Sequence, residues 1–100
     1  MTQTLFDTKT RLEADFERFD SENPKVWNLF RDFTFDLIDK GHKHCSSDMI
    51  LHRIRWETKI QTGGEFKINN NYSPYYARKF ERIYPYYKGF FRTRKIGRRK

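Results

Sequence analysis

The chain has little of what stabilises secreted or membrane proteins. Cys45 is the single cysteine, so no internal disulfide can form, which is typical of proteins in a reducing cytosol. No apolar run approaches the roughly 20 residues that span a bilayer. The N-terminal segment MTQTLFDTKTRLEADFERFD alternates acids and bases and lacks the apolar stretch of a signal peptide. These absences predict a protein of the cytoplasm with no membrane partner.

The chain is also too short for two domains. Its 100 residues provide one modest core. Aromatic residues make up 18% of the chain, so we expect a core built on Phe and Trp rather than on Leu and Val. We predict one domain over residues 1–91. A basic tail over residues 92–100 follows it, and has too few apolar side chains to offset the entropy of ordering, so we expect it to be flexible when free.

Acidic residues are scarce in the second half of the chain. Residues 51–100 contain fourteen Lys/Arg and only three Asp/Glu, a net charge of +11. Residues 1–50 contain seven Lys/Arg and ten Asp/Glu, a net charge of −3. A small domain with this asymmetry has a polarised surface, and its basic side attracts polyanions, of which DNA and RNA are the commonest. The alternative is that these basic side chains only keep the protein soluble and bind no partner.

Hydrophobic spacing predicts two amphipathic helices in the first half. The first covers about 8–20. Asn23 is placed to cap the second, and Pro24 suits its first position, where an N–H would have no partner. The second helix then runs over about 24–40, and Gly41 is placed to end it.

Two further helices are predicted in the second half. One covers about 47–58, capped by one of the serines that precede it, with Ile50 and Ile54 facing inwards. The other begins with Ser73 as its cap and runs to about residue 84, before Pro85. Its predicted inward stripe is Tyr76, Phe80 and Ile83, and the following Phe90 and Phe91 are expected to dock on the body.

A β-hairpin is predicted between these helices, in TKIQTGGEFKIN. Gly63-Gly64 separates two alternating segments, at about 59–62 and 65–69, which is a recognised hairpin signal. The fold prediction is therefore mainly α, a compact helical domain with a short hairpin. Three helices followed by a hairpin is the order of a winged helix, whose third helix enters the major groove. The link GHKHCSS is longer than the usual turn, so a plain helical domain with a small hairpin is the alternative.

Tyrosines and cations are interleaved in INNNYSPYYARKF and the residues after it. All six tyrosines lie within residues 72–87, interleaved with Arg78, Lys79 and Arg82 and followed by Lys88. Cations bind phosphates, and unstacked bases stack on aromatic rings. Asparagine can meet phosphates or adenine edges, although Asn69–Asn71 equally suit a turn. We expect Tyr76 and Tyr84 in the core, but the core is too small to bury Tyr72, Tyr75, Tyr86 and Tyr87 as well.

The basic half therefore predicts a nucleic-acid-binding surface, with DNA preferred to RNA. The third helix and the hairpin contribute cations, the central segment contributes cations, amides and rings, and the tail contributes six further cations. The predicted binding residues are Arg53, Arg55, Lys59, Lys67, Asn69, Asn70, Asn71, Tyr72, Tyr75, Arg78, Lys79, Arg82, Lys88, Arg92, Arg94, Lys95, Arg98, Arg99 and Lys100.

Metal and catalytic interpretations are weaker. The segment His42-Lys43-His44-Cys45 has only His52 as a further His or Cys ligand, whereas a closed zinc site needs four. Asp32, Asp36 and Asp39 share a helix face and could gather Mg²⁺ as in a nuclease. The alternative is a solvated acidic stripe. We therefore predict no cofactor and no enzyme activity, with a metal-dependent nuclease as the alternative.

Three short sequence motifs bear on where the protein comes from. RIRWET, FKINNNYSPYYARKFERIYP and GFFRTR, in this order, resemble a group of small uncharacterised phage and prophage proteins over roughly residues 16–94. The resemblance implies a phage or mobile element and a host-cell cytoplasm, and it assigns no functional residue. The prediction is a regulatory or accessory nucleic-acid-binding protein, as a homodimer if it regulates genes. The alternative is a protein that binds a host defence protein or polymerase, because Tyr and Arg dominate protein–protein hot spots.

Overall fold

Four helices and two short 3₁₀ turns form the fold. The computed structural model describes residues 10–62 and 67–91, without the side chains of residues 60–62. The helices are α1 (Arg11–Glu22), α2 (Pro24–Asp39), α3 (Ser47–Thr62) and α4 (Ser73–Ile83), and the 3₁₀ turns are Asn70–Tyr72 and Pro85–Tyr87. The predicted mainly helical fold is confirmed. The predicted tail, residues 92–100, and the first two residues predicted for α1 lie outside the described residues.

The junctions around α2 show which local signals decided the helix ends. Asn23 does not cap α2 as predicted, since its side-chain amide donates to the carbonyl of Phe19 at 2.9 Å and so ends α1. Gly41 does end α2, with a φ of +93° that suits glycine. Ser46 caps α3, because its hydroxyl accepts from the backbone N–H of Asp48 at 3.1 Å.

The predicted hairpin is wrong in its first strand. Residues 59–62 are the last turn of α3, and residues 67–69 have no regular secondary structure. Gly63-Gly64 and the rest of the predicted second strand, residues 65–66, lie outside the described residues. Ile54 and Thr58, one turn apart, are both buried, so the inner face of α3 packs on the body up to its predicted end. The described residues therefore show no wing.

The core is a continuous set of aromatic rings between the helices. Phe16 of α1 meets Tyr76 of α4 edge-on, with ring centres 4.8 Å apart. Tyr76 stacks on Phe30 of α2 at 5.2 Å, and Phe30 contacts Phe91 at 5.4 Å. The phenylalanine-rich core and the docking of the Phe90-Phe91 pair are confirmed. The expected tryptophans are not part of that core, since Trp56 is exposed and Trp27 is only half-buried, and aliphatic side chains of α3 complete it. Ile83 was predicted to face inwards, but it is 47% exposed because the core side of α4 ends at Phe80.

Candidate functional site

The outer face of α3 is open to solvent and combines apolar and basic side chains. Ile50, Leu51 and Ile54 bury the opposite face. On the outer face, Met49 and Trp56 are each 62% exposed, and they lie seven residues apart on one stripe. Cationic or titratable side chains flank this stripe. We call this set the α3 surface; its exposed members are Met49, His52, Arg53, Trp56 and Lys59.

Arg53 marks the edge of the α3 surface that faces α2. Its guanidinium lies 4.1 Å from the centre of the Phe33 ring and donates to the Asp36 carboxylate at 3.3 Å. Lys40 donates to the same carboxylate oxygen at 3.1 Å. The Lys40 hydrogen bond is the main reason that the pKa of Asp36 is lowered; desolvation opposes it, and Arg53 adds to the lowering. Two cations thus surround one anion at this edge.

Arg55 marks the opposite edge and holds the segment that follows α3. Its guanidinium donates to the backbone carbonyl of Ile68 at 2.8 Å and to the side-chain oxygen of Asn70. Arg55 was predicted to contact nucleic acid, and its hydrogen bonds are instead made within the protein. These bonds bring the exposed Lys67 to the side of α3 that carries Lys59, one turn beyond Arg55.

The three consecutive asparagines shape the turn before α4. The side-chain oxygen of Asn69 accepts from the backbone N–H of Asn71 at 2.8 Å, which starts the 3₁₀ turn. Asn70 is held by Arg55. All three residues are exposed beside the α3 surface. The turn interpretation of these residues is confirmed, and their part in binding stays a prediction.

Most of the tyrosines are packed against the protein. Tyr72 is only 9% exposed, with ring contacts to Phe16 and Phe19 of α1, so it has no free face for a base. Tyr75 is half-buried and stacks on Phe16 at 5.5 Å. The predicted binding role of Tyr72 is therefore corrected, because α1 supplies its aromatic partners, whereas that of the half-exposed Tyr75 stays a prediction. Tyr86, at 89% exposure, is the exposed tyrosine of the described ranges.

The predicted basic residues of α4 face acids of α1. A groove of about 170 Å³ runs between the two helices. Lys79 pairs with Asp20 and lies 4.6 Å from the centre of the Trp27 ring, while Arg78 lies over the Tyr75 ring at 5.3 Å. The charged lining consists of three acids and three bases, so the groove is balanced rather than positive: Glu13, Glu17, Asp20, Arg78, Lys79 and Arg82.

A second basic patch lies where α3 begins. The backbone N–H of Cys45 donates to the carbonyl of Phe90 at 3.0 Å, and Cys45 also pairs with Phe91 in a parallel bridge. The exposed His42-Lys43-His44 segment therefore lies beside Lys88, which is also exposed. Glu81 is the acid of this region, and its carboxylate accepts from two backbone N–H groups, at 3.1 and 3.4 Å.

The metal interpretation of this segment gains no support. Cys45 is buried, its thiol donates to the carbonyl of Ser46 at 3.3 Å, and burial raises its pKa. Within residues 10–62 and 67–91, no three His, Cys, Asp or Glu side chains form a group that could hold a metal ion. Asp36 of the acidic stripe on α2 is engaged by Lys40 and Arg53.

The structure thus divides the predicted binding residues into distinct groups. Arg53, Lys59, Lys67 and the asparagines lie on or beside the α3 surface, Arg82 lines the balanced groove, and Lys88 lies in the second patch. The cations of the tail lie outside the described residues: Arg92, Arg94, Lys95, Arg98, Arg99 and Lys100.

Met49 and Trp56 were missing from the predicted site. The signal that could have found them is the helical period, since both residues lie opposite the predicted inward Ile50 and Ile54. A large apolar residue on the side of a helix away from its core stripe is informative when a second one shares that side.

None of the helices in the described ranges is both long and apolar enough to cross a lipid bilayer. Comparisons of the chain with protein-family models, with curated proteins and with solved structures found no match.

Proposed function

We propose that this protein binds nucleic acid through the α3 surface and the 67–71 segment beside it. The observation that carries the proposal is the local excess of positive charge there. Helix α3 and the 67–71 segment together contain four cations and two carboxylates, Asp48 and Glu57; the cations are Arg53, Arg55, Lys59 and Lys67. The groove between α1 and α4 is balanced by comparison.

The residues of this surface suit different parts of a nucleic acid. Lys59 and Lys67 have exposed ammonium groups that can neutralise phosphates. The exposed amides beside them can bond to phosphate oxygens or base edges. Arg55 acts as a positioning residue, because it fixes the turn that presents these amides.

The wider biological setting is part of the same proposal. The resemblance to small phage and prophage proteins favours a regulatory or accessory role for a mobile element in a host cytoplasm, and a role in gene regulation would imply a homodimer. The third position of α3 in the helix order is shared with winged helices, but the proposal needs no wing. It assigns no catalytic residue and requires no cofactor.

The test is the affinity of the purified protein for fluorescein-labelled oligonucleotides of random sequence, measured by anisotropy over a series of salt concentrations. Binding through several phosphates predicts that log K falls linearly with log salt, with a slope of about −0.7 to −0.9 for each phosphate neutralised. Lys59→Glu should weaken binding about 10-fold at low salt and reduce the slope by about one unit.

The matched control is Lys25→Glu, which makes the same charge change on an exposed lysine in the first turn of α2. It should leave affinity within about 3-fold, because only the long-range field changes. If both variants lose the same affinity, the loss is explained by the change in net charge, and the result argues against binding through the α3 surface. The absence of detectable binding at low salt would overturn the proposal.

One observation favours a protein partner as the second candidate. Met49 and Trp56 form an exposed apolar stripe on a helix, and tryptophan is enriched in protein–protein hot spots. A host protein with an acidic surface would suit the surrounding cations. If Trp56→Ala abolishes capture of one host protein from a nuclease-treated lysate and the nucleic-acid assays are negative, this candidate replaces the first.

A further inference from the structure

The centre of the α3 surface is an indole ring rather than a hydrogen-bonding side chain. Trp56 is 62% exposed, and Met49 continues the stripe two turns earlier. Leaving so large an apolar side chain in water forgoes most of the stabilisation that its burial would give. The other tryptophan is half-buried: Trp27 stacks on Phe30 at 6.2 Å and is covered by the ammonium of Lys79. Of the two tryptophans, it is therefore Trp56 on α3 that presents its ring to solvent.

The side chains that would read a duplex are engaged elsewhere. A helix in the major groove recognises bases through side chains such as Arg and Asn, which bond to base edges. On α3, Arg55 is bound to Ile68 and Asn70. Arg53 gives one guanidinium nitrogen to Asp36 and stacks on Phe33, but 41% of its side chain is exposed and its remaining N–H groups can meet a phosphate. An indole has one N–H donor and no acceptor, so it can form few of the hydrogen bonds that distinguish base edges. Base faces are hidden inside a duplex, but they are open in a single strand.

The spacing of charge around the ring suits a stacked nucleotide. Arg53 precedes Trp56 by three residues and Lys59 follows it by three, so one cation lies on each side of the indole along the helix. His52 lies one turn before Trp56 on the same face. A base on the indole would therefore have a cation near the phosphate on either side, the combination found in proteins that bind single strands.

We infer that the α3 surface binds single-stranded nucleic acid, with Trp56 as the ring on which a base stacks and Arg53 and Lys59 at the neighbouring phosphates. The inference rests on the proposed function and names its substrate class. A second copy of the chain is a poorer occupant, because two such surfaces would bring like charges together. Stacking tolerates every base, so we expect little sequence preference.

The experiment uses tryptophan fluorescence and anisotropy with the full chain. The chain has two tryptophans, so Trp27→Phe leaves Trp56 as the sole emitter under excitation at a wavelength that tryptophan absorbs and tyrosine does not. Titration with oligo(dT) and oligo(U) of about 15 nucleotides, a length at the upper end of the site sizes of single-strand-binding modules, should quench this emission. A hairpin duplex with the same number of phosphates should not quench it. Comparison of oligo(dT) with oligo(U) separates DNA from RNA.

In the otherwise unchanged chain, Trp56→Ala should weaken oligo(dT) binding about 10-fold or more, while Trp56→Phe should retain most of it. Duplex affinity should be the same in both variants. This anisotropy series does not depend on the half-buried Trp27 site, so it holds even if Trp27→Phe disturbs folding. Circular dichroism should show unchanged helicity in the Trp56 variants, because that side chain is exposed.

The outcomes separate the two proposals. Quenching together with a selective loss in Trp56→Ala supports the inference. Equal affinity for duplex and single strand, with no quenching and no effect of Trp56→Ala, overturns it while the proposed function stands. Binding to neither form overturns both.

Discussion

Lys79 of α4 forms an ion pair with Asp20 of α1, and both side chains are largely buried, at 20% and 16% exposure. The same ammonium lies 4.6 Å from the centre of the Trp27 ring on α2. One predicted phosphate-binding lysine therefore joins three helices. Its charge is used to hold the fold, which explains why net charge alone overstates the positive surface of α4.

This relationship predicts the effect of Lys79→Met on stability. The substitution keeps the aliphatic contact with Trp27 but leaves the Asp20 carboxylate without its cation. We expect a loss of about 2–3 kcal/mol in the free energy of unfolding, measured by urea denaturation, somewhat below the range for fully buried pairs. Arg82→Met, an exposed site one turn along α4, is the matched control and should stay within about 0.5 kcal/mol. Equal stability of the two variants would contradict the structural role of the pair.

Removing the hydroxyl of Tyr76 is expected to leave the free energy of unfolding unchanged or to raise it, unlike the loss of Lys79. This side chain is fully buried, and its hydroxyl bonds to no protein atom among the described residues. Tyr76→Phe removes a desolvated polar group and keeps the ring contacts with Phe16 and Phe30, so we expect unchanged stability or a gain of about 1 kcal/mol. A loss above about 1 kcal/mol in urea denaturation would show that the hydroxyl has a favourable partner.

The same residue predicts how stability falls in alkali. Burial first, then Asp20 and Tyr72, raise the pKa of Tyr76 well above its usual value of 10.0. A raised folded-state pKa gives stability that is complete below pH 10.0 and is lost as the pH rises from there towards the folded pKa. Urea denaturation at about pH 8 and about pH 11 should show a smaller decline for Tyr76→Phe than for the unchanged protein.

The hydrogen bonds of Arg55 predict that its substitution loosens the turn before α4. Arg55→Ala removes two charge-assisted hydrogen bonds to residues 68 and 70, so we expect a loss of about 1.5–3 kcal/mol in the free energy of unfolding. Hydrogen exchange at the Asn71 and Tyr72 amides should accelerate, because their bonds to Asn69 depend on this turn. Lys59→Ala, one turn further on the exposed side of α3, should change neither quantity.

Asp36 predicts a measurable effect at acid pH. Its pKa lies below the ordinary 3.8, chiefly because Lys40 donates to it and secondarily because of Arg53. A lowered pKa gives stability that is present above pH 3.8 and is lost as the pH falls through the folded value. In NMR titrations, Lys40→Ala should raise the pKa of Asp36 more than Arg53→Ala does, and added salt should reduce both shifts. The reverse order would contradict the geometry.

Local signals in the sequence were reliable where one residue acts on its own backbone. Gly41 ends α2 because the positive φ there suits glycine, and Pro24 opens it because the first helical N–H has no partner. The hairpin failed for the opposite reason. A short alternating run is compatible with helix or strand, and residues 59–62 continue α3 as its last turn.

The candidate site was predictable only in part. Cationic residues after position 50 indicated a polyanion, and this remains the basis of the proposal. Partners distant in the sequence decided which cations are buried: Asp20 pairs with Lys79, whereas Lys59 and Lys67 are exposed. The same holds for the rings, since Phe16 and Phe19 of α1 cover Tyr72.

The sequence by itself determined an aromatic helical body with an acidic first half and a basic second half, because helical period, caps and composition act locally or in sum. Only the tertiary structure decided that α4 is neutralised by α1 and that Trp56 is left open on α3. Charge pairing joins Asp20 to Lys79, 59 positions apart in the chain, and ring packing joins Phe30 to Phe91, which are further apart still. Such contacts exist only once the helices have packed.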